Sequence, residues 1–460
     1  MTSSGTALKG ATILRPGTEL ELDFTDILAN GQGVGRASGM VVFCFGPLPG
    51  ERARVRVATV KQRYAVADLI ALLEESPARV LPFCPVFGEC GGCQLQHLAY
   101  DAQLRWKRDV VRNTLTRIAG VAAVSVNETI GMREPRAYRN KMSLVVDRRA
   151  KPPALGFYRQ RSHDVVAIDG CPIVAPQLDA TIGTLVRSRS RGAVGRALRD
   201  ARHLVARAAR ASGEAVLTVT TAVPMNDAAE VGSALLGELP GLAGIENSFD
   251  LSGENAILGR QHRLLAGKGE IEETICGLRY RISPASFFQV NVEILERIFA
   301  FVEPWLQPPA AIVDAYCGAG TFSLFFARHG WSVYGIEENR HAVAEAQENA
   351  RLNGLQERVA FDTGRVERML ALPRGAQALR RSRVVFLDPP RKGCDPAVLA
   401  AIAGAAVAHV WYLSCDAATL ARDLKFLISN GYRFETVQPF DMFPQTGHVE
   451  TLVRMEYAAS

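Results

Sequence analysis

The chain lacks any run of about eighteen uninterrupted apolar residues, the length that a membrane-spanning helix needs. The longest apolar stretch, Val398 to Leu413, is rich in alanine and is interrupted by His409. Met1 to Gly17 has no basic segment followed by an apolar core, so no secretory signal is expected. We therefore expect a cytoplasmic protein with no membrane partner.

Internal repeats and low-complexity linkers are also absent from the sequence. With 48% hydrophobic and 22% charged residues, the chain is too apolar for intrinsic disorder. Its 460 residues suggest several domains. The nine cysteines are odd in number and clustered, which argues against a disulfide framework. Thiols, metal ligands or catalytic groups are the expected roles.

Acidic residues are scarce in two segments of this chain, whose net charge is +6. Arg133 to Arg161 has nine basic residues against two acids, and Arg187 to Arg210 has eight arginines against one acid. Such clusters suit a polyanionic partner, although a solvated face is the alternative. Four arginines of the second segment recur at helical spacing and predict one basic helix face. They are Arg196, Arg199, Arg207 and Arg210.

An all-β segment, a helical segment and a mixed α/β segment precede the C-terminal third of the chain. Residues 18–72 predict a small barrel, because one strand alternates small apolar residues with Arg52, Arg54 and Arg56, an arrangement that suits nucleic acid. A helical segment follows at about 94–125, a candidate to pack on the catalytic domain. Residues 127–280 predict a mixed α/β domain.

From about residue 283 the pattern alternates short apolar strands, Gly-rich turns and helices. This alternation predicts an α/β fold with a doubly wound, mostly parallel sheet. The predicted strands are Ala311–Asp314, Ser332–Ile336, Val384–Leu387 and Val410–Leu413.

A Gly-rich motif, Asp-Ala-Tyr-Cys-Gly-Ala-Gly-Thr, begins at Asp314 where a strand meets a helix. Such glycines let the backbone approach a nucleoside ligand. A dinucleotide fingerprint would place Gly or Ala at position 323, but Ser323 stands there, which disfavours NAD. The next strand ends at Glu337, an acid suited to ribose hydroxyls. This combination is similar to the S-adenosylmethionine (SAM) site of Rossmann-type methyltransferases.

Two further motifs end later strands of the same sheet. Asp388-Pro-Pro-Arg391 has arginine where methyltransferases of exocyclic base nitrogens carry a stacking aromatic residue, which points toward carbon methylation. Ser-Cys-Asp places Cys415 at a strand end, although a lone cysteine is more often an inert packing residue. A thiolate there has a use, because carbon 5 of uracil becomes nucleophilic once a thiolate adds to carbon 6.

A motif near the C-terminus, His448-Val-Glu450, supplies a candidate base. After methyl transfer the carbon 5 proton must leave before the thiolate can be eliminated. Glu450 is a candidate acceptor, and His448 competes with it on ordinary pKa. Glu450 could equally be a solvated strand residue.

Together with Phe-Phe-Gln-Val-Asn around Gln289, these motifs resemble the RNA uridine-5-methyltransferase family. The resemblance implies that Cys415 is the nucleophile and Glu450 the proton acceptor. A further family Asp or Asn falls at Arg365, and Asp362 is the possible substitute. The implied SAM-binding residues are Gln289, Tyr316, Gly318, Gly320, Thr321, Glu337 and Asp388.

Four cysteines extend the resemblance to the branch with a [4Fe-4S] cluster and an N-terminal TRAM barrel. Cys84, Cys90, Cys93 and Cys171 offer four thiolates, which suit such a cluster or zinc. The first gap of five residues is wrong for a zinc ribbon. The resemblance implies a TRAM barrel at 14–73, an iron–sulfur central domain at 74–280 and a catalytic domain at 281–460. Cys44, Cys276, Cys317 and Cys394 have no assigned role, and packing is favoured over chemistry for each.

The expected activity is therefore SAM-dependent formation of 5-methyluridine in structured RNA by a monomer. The branch favours ribosomal RNA, with transfer RNA open. One alternative is a cytosine-5 or amine methyltransferase on the same fold. The other is an inactive RNA-binding or RNA-chaperone protein, which intact Cys415 and Glu450 disfavour.

Overall fold

The computed structural model describes residues 14–121, 124–251, 257–284 and 286–458. Most of the segment on which the secretory-signal expectation depends, residues 1–13, lies outside that part of the chain. None of the helices in the described ranges is both long and apolar enough to span a bilayer.

The described residues form two compact units. The first contains the residues up to 88, 92–103 and 445–447. The second contains 89–91, 104–444 and the residues from 448 onward.

The first unit contains a closed five-stranded barrel. Its strands are β1 (Glu19–Ile27), β2 (Gln32–Ala37), β3 (Met40–Phe45), β4 (Glu51–Val60) and β5 (Tyr64–Glu74). Neighbours around the barrel follow the order β1-β2-β3-β5-β4. The barrel core holds Phe24, Val42, Val55 and Ala65, each no more than 1% exposed. The small barrel predicted from the sequence is confirmed.

Strand β4 alternates as its sequence predicts, with apolar side chains inside and arginines outside. The three arginines form ion pairs with glutamates of β1, because the antiparallel register places the two strands side by side. These pairs are Arg52–Glu21 at 3.0 Å, Arg54–Glu21 at 3.0 Å and Arg56–Glu19 at 2.8 Å. The arginine face is therefore partly neutralised by acids that are distant in sequence.

The helical segment is α1 (Tyr100–Thr114), continued by a π-helical turn at Leu115–Ala119. Val111 and Leu115 are fully buried. They share an apolar cluster with Leu420 and Leu424, which belong to a helix beside the C-terminal sheet. This part of the segment therefore packs on that sheet's helical layer.

A seven-stranded sheet occupies the middle of the second unit. Its strands are β6 (Lys141–Asp147), β7 (Ala154–Tyr158), β8 (Val165–Ala167), β9 (His203–Ala208), β10 (Ala215–Thr221), β11 (Leu242–Phe249) and β12 (Gln261–Gly267). Helices α2 (Pro176–Ser188), α3 (Gly192–Leu198) and α4 (Ala228–Glu238) connect them. The strand order is β12-β11-β10-β9-β6-β7-β8.

The predicted basic helix face is wrong. Arg196 lies in α3 and Arg199 caps it, but Arg207 lies in β9 and is only 1% exposed. Arg210 follows that strand and pairs with Glu296. Residues 203–208 form a strand because β6 and β10 pair with them on both sides, and this tertiary pairing overrides the helical spacing of the arginines.

A hairpin of β13 (Ile271–Ile275) and β14 (Leu278–Ile282) follows. Its turn residues, Cys276 and Gly277, have φ of +47° and +76°, as a tight hairpin requires. Cys276 is exposed there. This exposure does not favour a packing role, whereas Cys44, Cys317 and Cys394 are buried.

The C-terminal part of the second unit is another seven-stranded sheet with helices on its faces. Its strands are β15 (Ala311–Ala315), β16 (Ser332–Glu337), β17 (Val359–Thr363), β18 (Val384–Leu387), β19 (His409–Ser414), β20 (Tyr432–Phe440) and β21 (Glu450–Tyr457). The helices are α5 (Val292–Val302), α6 (Thr321–Arg328), α7 (Arg340–Leu352), α8 (Val366–Ala371), α9 (Pro373–Arg381), α10 (Pro396–Gly404) and α11 (Ala417–Ser429). A short 3₁₀ turn, Glu303–Leu306, precedes β15.

The order β17-β16-β15-β18-β19-β21-β20 makes this sheet doubly wound. Five strands are parallel, and β21 runs antiparallel between β19 and β20. All four predicted strands are present, and the predicted fold class is confirmed. The direction of winding reverses between β15 and β18, the place where open α/β sheets bind ligands at their carboxyl ends.

Apolar layers cover both faces of the sheet. Strand β18 shows this directly, since its four residues are at most 1% exposed. Val384 and Phe386 belong to one apolar cluster, whereas Val385 and Leu387 belong to the other. This two-sided burial explains the continuous apolar run and leaves Asp388, at its end, as the first polar group.

Candidate active site

The loop between β15 and α6 is built on left-handed backbone. Tyr316, Gly318 and Gly320 have φ of +70°, +53° and +84°. A Cβ on Gly320 would lie 3.1 Å from that of Ala346, so both conformation and space favour glycine. A tyrosine with positive φ is uncommon, and such strain is often found at functional sites.

Strand β16 brings its terminal acid to this loop. A Glu337 carboxylate oxygen accepts a hydrogen bond from the Gly318 N–H at 3.2 Å. Thr321 begins α6 and is 9% exposed, and its carbonyl accepts the Tyr280 hydroxyl at 3.0 Å. Five of the predicted cofactor residues thus lie in one loop and the adjoining strand end: Tyr316, Gly318, Gly320, Thr321 and Glu337.

Gln289, another predicted cofactor residue, is 7% exposed. Its carbonyl accepts a hydrogen bond from Asn140 Nδ2 at 3.0 Å. Two residues later Asn291 caps α5, accepting the Ile294 N–H and donating to the Met442 carbonyl at 3.3 Å. These bonds fix the Gln289 segment between the start of β6 and the end of β20.

Three carboxyl groups cluster at the strand ends. Burial raises the pKa of Asp314 to about 7, and Glu337 adds to this while the Ser323 hydroxyl, 2.5 Å away, opposes it. Burial and the neighbouring Asp314 also raise the pKa of Asp388 to about 7. A positively charged ligand would favour the ionised forms of such groups. The negative charge of these carboxyl groups, when ionised, fits the positively charged sulfonium of SAM.

Cys415 follows directly after β19 and is half-buried. Burial, with Glu450 and Asp388, raises its pKa to about 11, while the Arg391 guanidinium hydrogen-bonds the sulfur and acts in the opposite direction. Glu450 begins β21, and the register pairs Ser414 with Thr451. The two predicted catalytic residues are therefore neighbours on adjacent strands.

Glu450 is only 3% exposed, which removes the interpretation as a solvated strand residue. Burial and Asp388 raise the pKa of its carboxyl well above the usual value, and Arg391 opposes this shift. His448 is exposed, and Arg391 Nη2 lies 3.5 Å from its Nε2. Partial desolvation of the ring and the cations Arg391 and Lys107 lower the pKa of His448, so His448 holds a proton less readily than an ordinary histidine.

Arg391 is a candidate functional residue that the sequence analysis did not single out. Its charge acts on Cys415, Glu450 and His448 alike. The sequence signal was its place after Asp388-Pro-Pro, which indicated only that a stacking aromatic was missing.

A buried ion pair holds the segment that leads to His448 and Glu450. Lys107 of α1 and Asp441 are both fully buried, and Lys107 Nζ donates to an Asp441 carboxylate oxygen. The same ammonium donates to the Phe443 carbonyl at 3.1 Å. Breaking a buried pair on one side is strongly destabilising, so this contact ties the segment firmly to α1. Helical periodicity gave no sign of a buried lysine.

A second network orients Tyr316. The Cys394 thiol hydrogen-bonds the hydroxyls of Tyr316 and Tyr412. The Tyr412 hydroxyl donates to Asp423 at 2.7 Å, and the Cys394 N–H donates to the same carboxylate at 2.8 Å. Cys394 therefore supports a predicted cofactor residue from behind.

The end of strand β17 carries structural contacts. Asp362 accepts the Tyr334 hydroxyl at 2.6 Å and Arg374 Nη1 at 2.9 Å. Arg365 caps α8 and lies 3.6 Å from Glu367. Asp362 already holds two structural partners, and whether it also contacts adenine stays a prediction.

The cysteine pattern falls in both units, with Cys84 and Cys93 in the first and Cys90 and Cys171 in the second. None of these four forms a disulfide. Within the described ranges, no group of three or more His, Cys, Asp or Glu side chains is arranged to hold a metal ion. The [4Fe-4S] assignment therefore depends on the cysteine pattern alone.

Comparison with known families matches both ends of the chain. Residues 14–70 match the TRAM domain, and residues 260–457 match the tRNA (uracil-5-)-methyltransferase family. The expected TRAM barrel is thereby confirmed.

Similar proteins cover nearly the whole chain. An uncharacterised RNA methyltransferase of Halalkalibacterium halodurans is 38% identical, over 95% of this chain and 96% of its own. Another, of Caldanaerobacter subterraneus subsp. tengcongensis, is 37% identical over 96% and 98%. The crystal structure of the Pyrococcus abyssi tRNA (uracil-54, C5)-methyltransferase with S-adenosyl-L-homocysteine has a TM-score of 0.74 and 25% identity, covering 95% of this chain and 100% of that one.

The relatives, the TRAM match and the strand-end pocket agree with one another. The chain is a SAM-dependent enzyme acting on RNA, and it belongs to the RNA (uracil-5-)-methyltransferase family.

Proposed function

We propose that this enzyme methylates carbon 5 of a uridine through a covalent adduct with Cys415, and that Glu450 removes the carbon 5 proton. The observation that supports this most directly is the juxtaposition of the two residues across β19 and β21, with Arg391 acting on both. A nucleophile and a base within reach of each other are what covalent catalysis needs.

The first step is addition of the Cys415 sulfur to carbon 6 of uracil. A thiol must lose its proton to attack, and the Arg391 guanidinium favours the thiolate. The new S–C6 bond moves the ring electrons toward the carbon 4 oxygen, which makes carbon 5 an enolate carbon. The target base must leave its stack for both faces to be reached.

SAM, when bound, supplies an electrophilic methyl group to carbon 5. We place its nucleoside side against Tyr316, Gly318, Gly320, Thr321 and Glu337, and its charged centre near Gln289 and Asp388.

The last step belongs to Glu450. Its buried carboxylate takes the carbon 5 proton, the electrons reform the C5–C6 double bond, and the S–C6 bond breaks to restore the Cys415 thiolate. A raised pKa makes Glu450 a better proton acceptor than an exposed carboxylate. Every protein group in these reaction steps comes from a single chain, so a monomer is sufficient for the reaction. Light scattering measures whether the enzyme is a monomer in solution.

For the RNA target we propose ribosomal RNA. The cysteine pattern and the TRAM barrel, in one chain, favour that branch of the family. The rival is transfer RNA, because the matching family model and the Pyrococcus abyssi structure both carry tRNA in their names.

The test is methylation of two unmodified transcripts, 23S rRNA and a tRNA pool, by purified enzyme with methyl-labelled SAM. We expect 5-methyluridine in nucleoside hydrolysates of the rRNA, at a single position on sequencing. Label in tRNA alone would transfer the substrate to tRNA. A 5-methylcytidine or N-methyl product would reject the proposed chemistry in favour of a cytosine-5 or amine methyltransferase on the same fold. RNA binding without incorporation of label would favour an inactive RNA chaperone.

We further propose a [4Fe-4S] cluster on Cys84, Cys90, Cys93 and Cys171, from the cysteine pattern. No catalytic step depends on it. Anaerobic purification should give about four irons per chain with visible charge-transfer absorbance. Cys171→Ser should lose the iron while Cys276→Ser, at an exposed turn, keeps it. Stoichiometric zinc, or iron that survives in Cys171→Ser, would reject the assignment.

A further inference from the structure

Three cations meet where β6 begins, and we call Arg139, Lys141 and Arg207 the β6 cationic cluster. Lys141 and Arg207 are direct partners across the antiparallel β6 and β9 strands, so their side chains share one face. Arg139 precedes β6 by two residues, and its Nε donates to the Lys141 carbonyl at 3.0 Å. Like charges opposite each other normally destabilise a sheet, so some interaction must offset the repulsion within this cluster.

The protein itself compensates this cluster only in part. Arg207 is 1% exposed, and its Nε and Nη1 have no hydrogen-bond partner among the described residues. Its Nη2 donates to the Ser286 carbonyl at 2.7 Å, and Glu345 is the carboxylate that acts on it. Burial, Arg207 and Arg139 lower the pKa of Lys141 to about 8. A buried cation with unpaired donors is costly, and an external anion would relieve that cost.

The cluster lies beside the catalytic pocket. Asn140, between Arg139 and Lys141, donates from its backbone to the Val290 carbonyl and from its side chain to the Gln289 carbonyl, both at 3.0 Å. The charge of Arg139 is also among those that lower the pKa of His448. An anion held there would be adjacent to the uracil ring that reacts.

We propose that Arg139 and Lys141, with Arg207 contributing charge from the interior, bind a backbone phosphate of the substrate RNA next to the target uridine. Arg139 and Lys141 are half-buried and can be reached from solvent, whereas Arg207 cannot. This assignment rests on the proposed function, in which RNA enters the Cys415 pocket.

A phosphodiester is favoured over the carboxylate of the cofactor for two reasons. The exposed Arg133 lies just before the cluster in sequence, so the chain offers a further cation close by, as suits a polyanion. The cofactor carries a single carboxylate, and the positive charge of three cations is larger than one carboxylate can neutralise. The two sources of an oxyanion are separable, because one is measured by RNA binding and the other by cofactor binding.

The experiment compares Lys141→Met and Arg139→Gln with the wild type. Arg149→Gln is the matched control, since Arg149 is an exposed arginine of the same basic run and is already paired with Asp147 at 2.9 Å. RNA affinity is measured for unmodified 23S rRNA and tRNA transcripts over a series of KCl concentrations, with S-adenosyl-L-homocysteine present to prevent turnover. Cofactor affinity is measured separately by calorimetry.

We expect each cluster variant to weaken RNA binding and to reduce the slope of log affinity against log salt by roughly 0.7 to 0.9, the value for one lost phosphate contact. The control should keep its slope, and all variants should bind S-adenosyl-L-homocysteine equally. Slopes equal to wild type would overturn the phosphate site. A loss confined to S-adenosyl-L-homocysteine affinity would assign the cluster to the cofactor carboxylate instead.

The outcome is independent of the target assignment. If the wild type makes no 5-methyluridine but the cluster variants still reduce the salt slope, the proposed chemistry fails and the phosphate site stands. Thermal melting identifies any variant that has lost its fold, and Lys141→Met is the preferred variant because Lys141 is half-buried rather than fully buried.

Discussion

Two thiols near the same sheet edge differ in their surroundings. Cys415 is half-buried and faces the Arg391 guanidinium, whereas Cys394 is 4% exposed and lies between the hydroxyls of Tyr316 and Tyr412. Burial raises the pKa of both, to about 11 for Cys415 and to about 12 for Cys394. A raised pKa therefore does not by itself distinguish the proposed nucleophile from a structural thiol.

The difference lies in access and in the neighbouring groups. Cys415 has a cation on one side and two carboxyl groups on the other, so its ionisation responds to changes in the pocket. Cys394 is fixed by hydroxyls that also serve Asp423 and the loop of Tyr316. We therefore propose that the neighbouring charges make Cys415 the reactive thiol, while Cys394 holds Tyr316 in position.

The largest expected effect is that of Cys415→Ala. Without the sulfur the carbon 6 bond cannot form, so both methyl transfer and any covalent enzyme–RNA species should vanish. Denaturing gels with methyl-labelled SAM measure both. Cys394→Ala is the matched control, and an adduct that persists in Cys415→Ala would move the nucleophile to another cysteine.

Glu450→Gln should stop turnover at a later step. Addition and methyl transfer can proceed, but the carbon 5 proton stays and the thiolate cannot leave. We expect a denaturation-resistant band that carries label from the cofactor and is absent in the double variant with Cys415→Ala. Normal turnover by Glu450→Gln would transfer the role of base to His448 or to water, and His448→Gln would then decide between them.

Arg391→Gln should lower kcat/KM by about 10²-fold, the typical cost of removing one preorganised charge partner. Because Arg391 lowers the pKa of Cys415, its loss should raise that pKa above about 11, reducing the thiolate fraction at any lower pH. The alkylation rate of Cys415 by iodoacetamide should then rise only at higher pH than in wild type. Lys392→Gln, an exposed neighbouring cation, should leave the profile unchanged.

Cys394→Ala should have the smallest effect. Loss of its hydrogen bonds to the buried Tyr412 hydroxyl and the half-buried Tyr316 hydroxyl should cost about 1 to 3 kcal/mol of stability. It should also raise KM for SAM with kcat nearly unchanged. Cys394→Ser, which keeps hydrogen-bonding capacity, should restore much of both. Calorimetric melting and steady-state kinetics measure these effects. A kcat loss as large as that of Cys415→Ala would erase the distinction between the two thiols.

Several parts of the fold follow from local pattern. The alternation in β4 predicts an inside and an outside, since side chains along a strand point to opposite faces. The apolar run Val384–Leu387 predicts a buried strand and so places Asp388 at its carboxyl end. The arginine spacing around Arg207 failed, because a strand between two partners is determined by residues distant in sequence.

The sequence by itself determined the parallel sheet and the Gly-rich loop, because strand and turn patterns are local. It also predicted a candidate nucleophile and a candidate base, because both stand in motifs at strand ends. Only the tertiary structure decided which charges meet: Arg391 with Cys415 and Glu450, Lys107 with Asp441, and Lys141 with Arg207. Electrostatic energy depends on distance and burial, and neither quantity exists until the chain has folded.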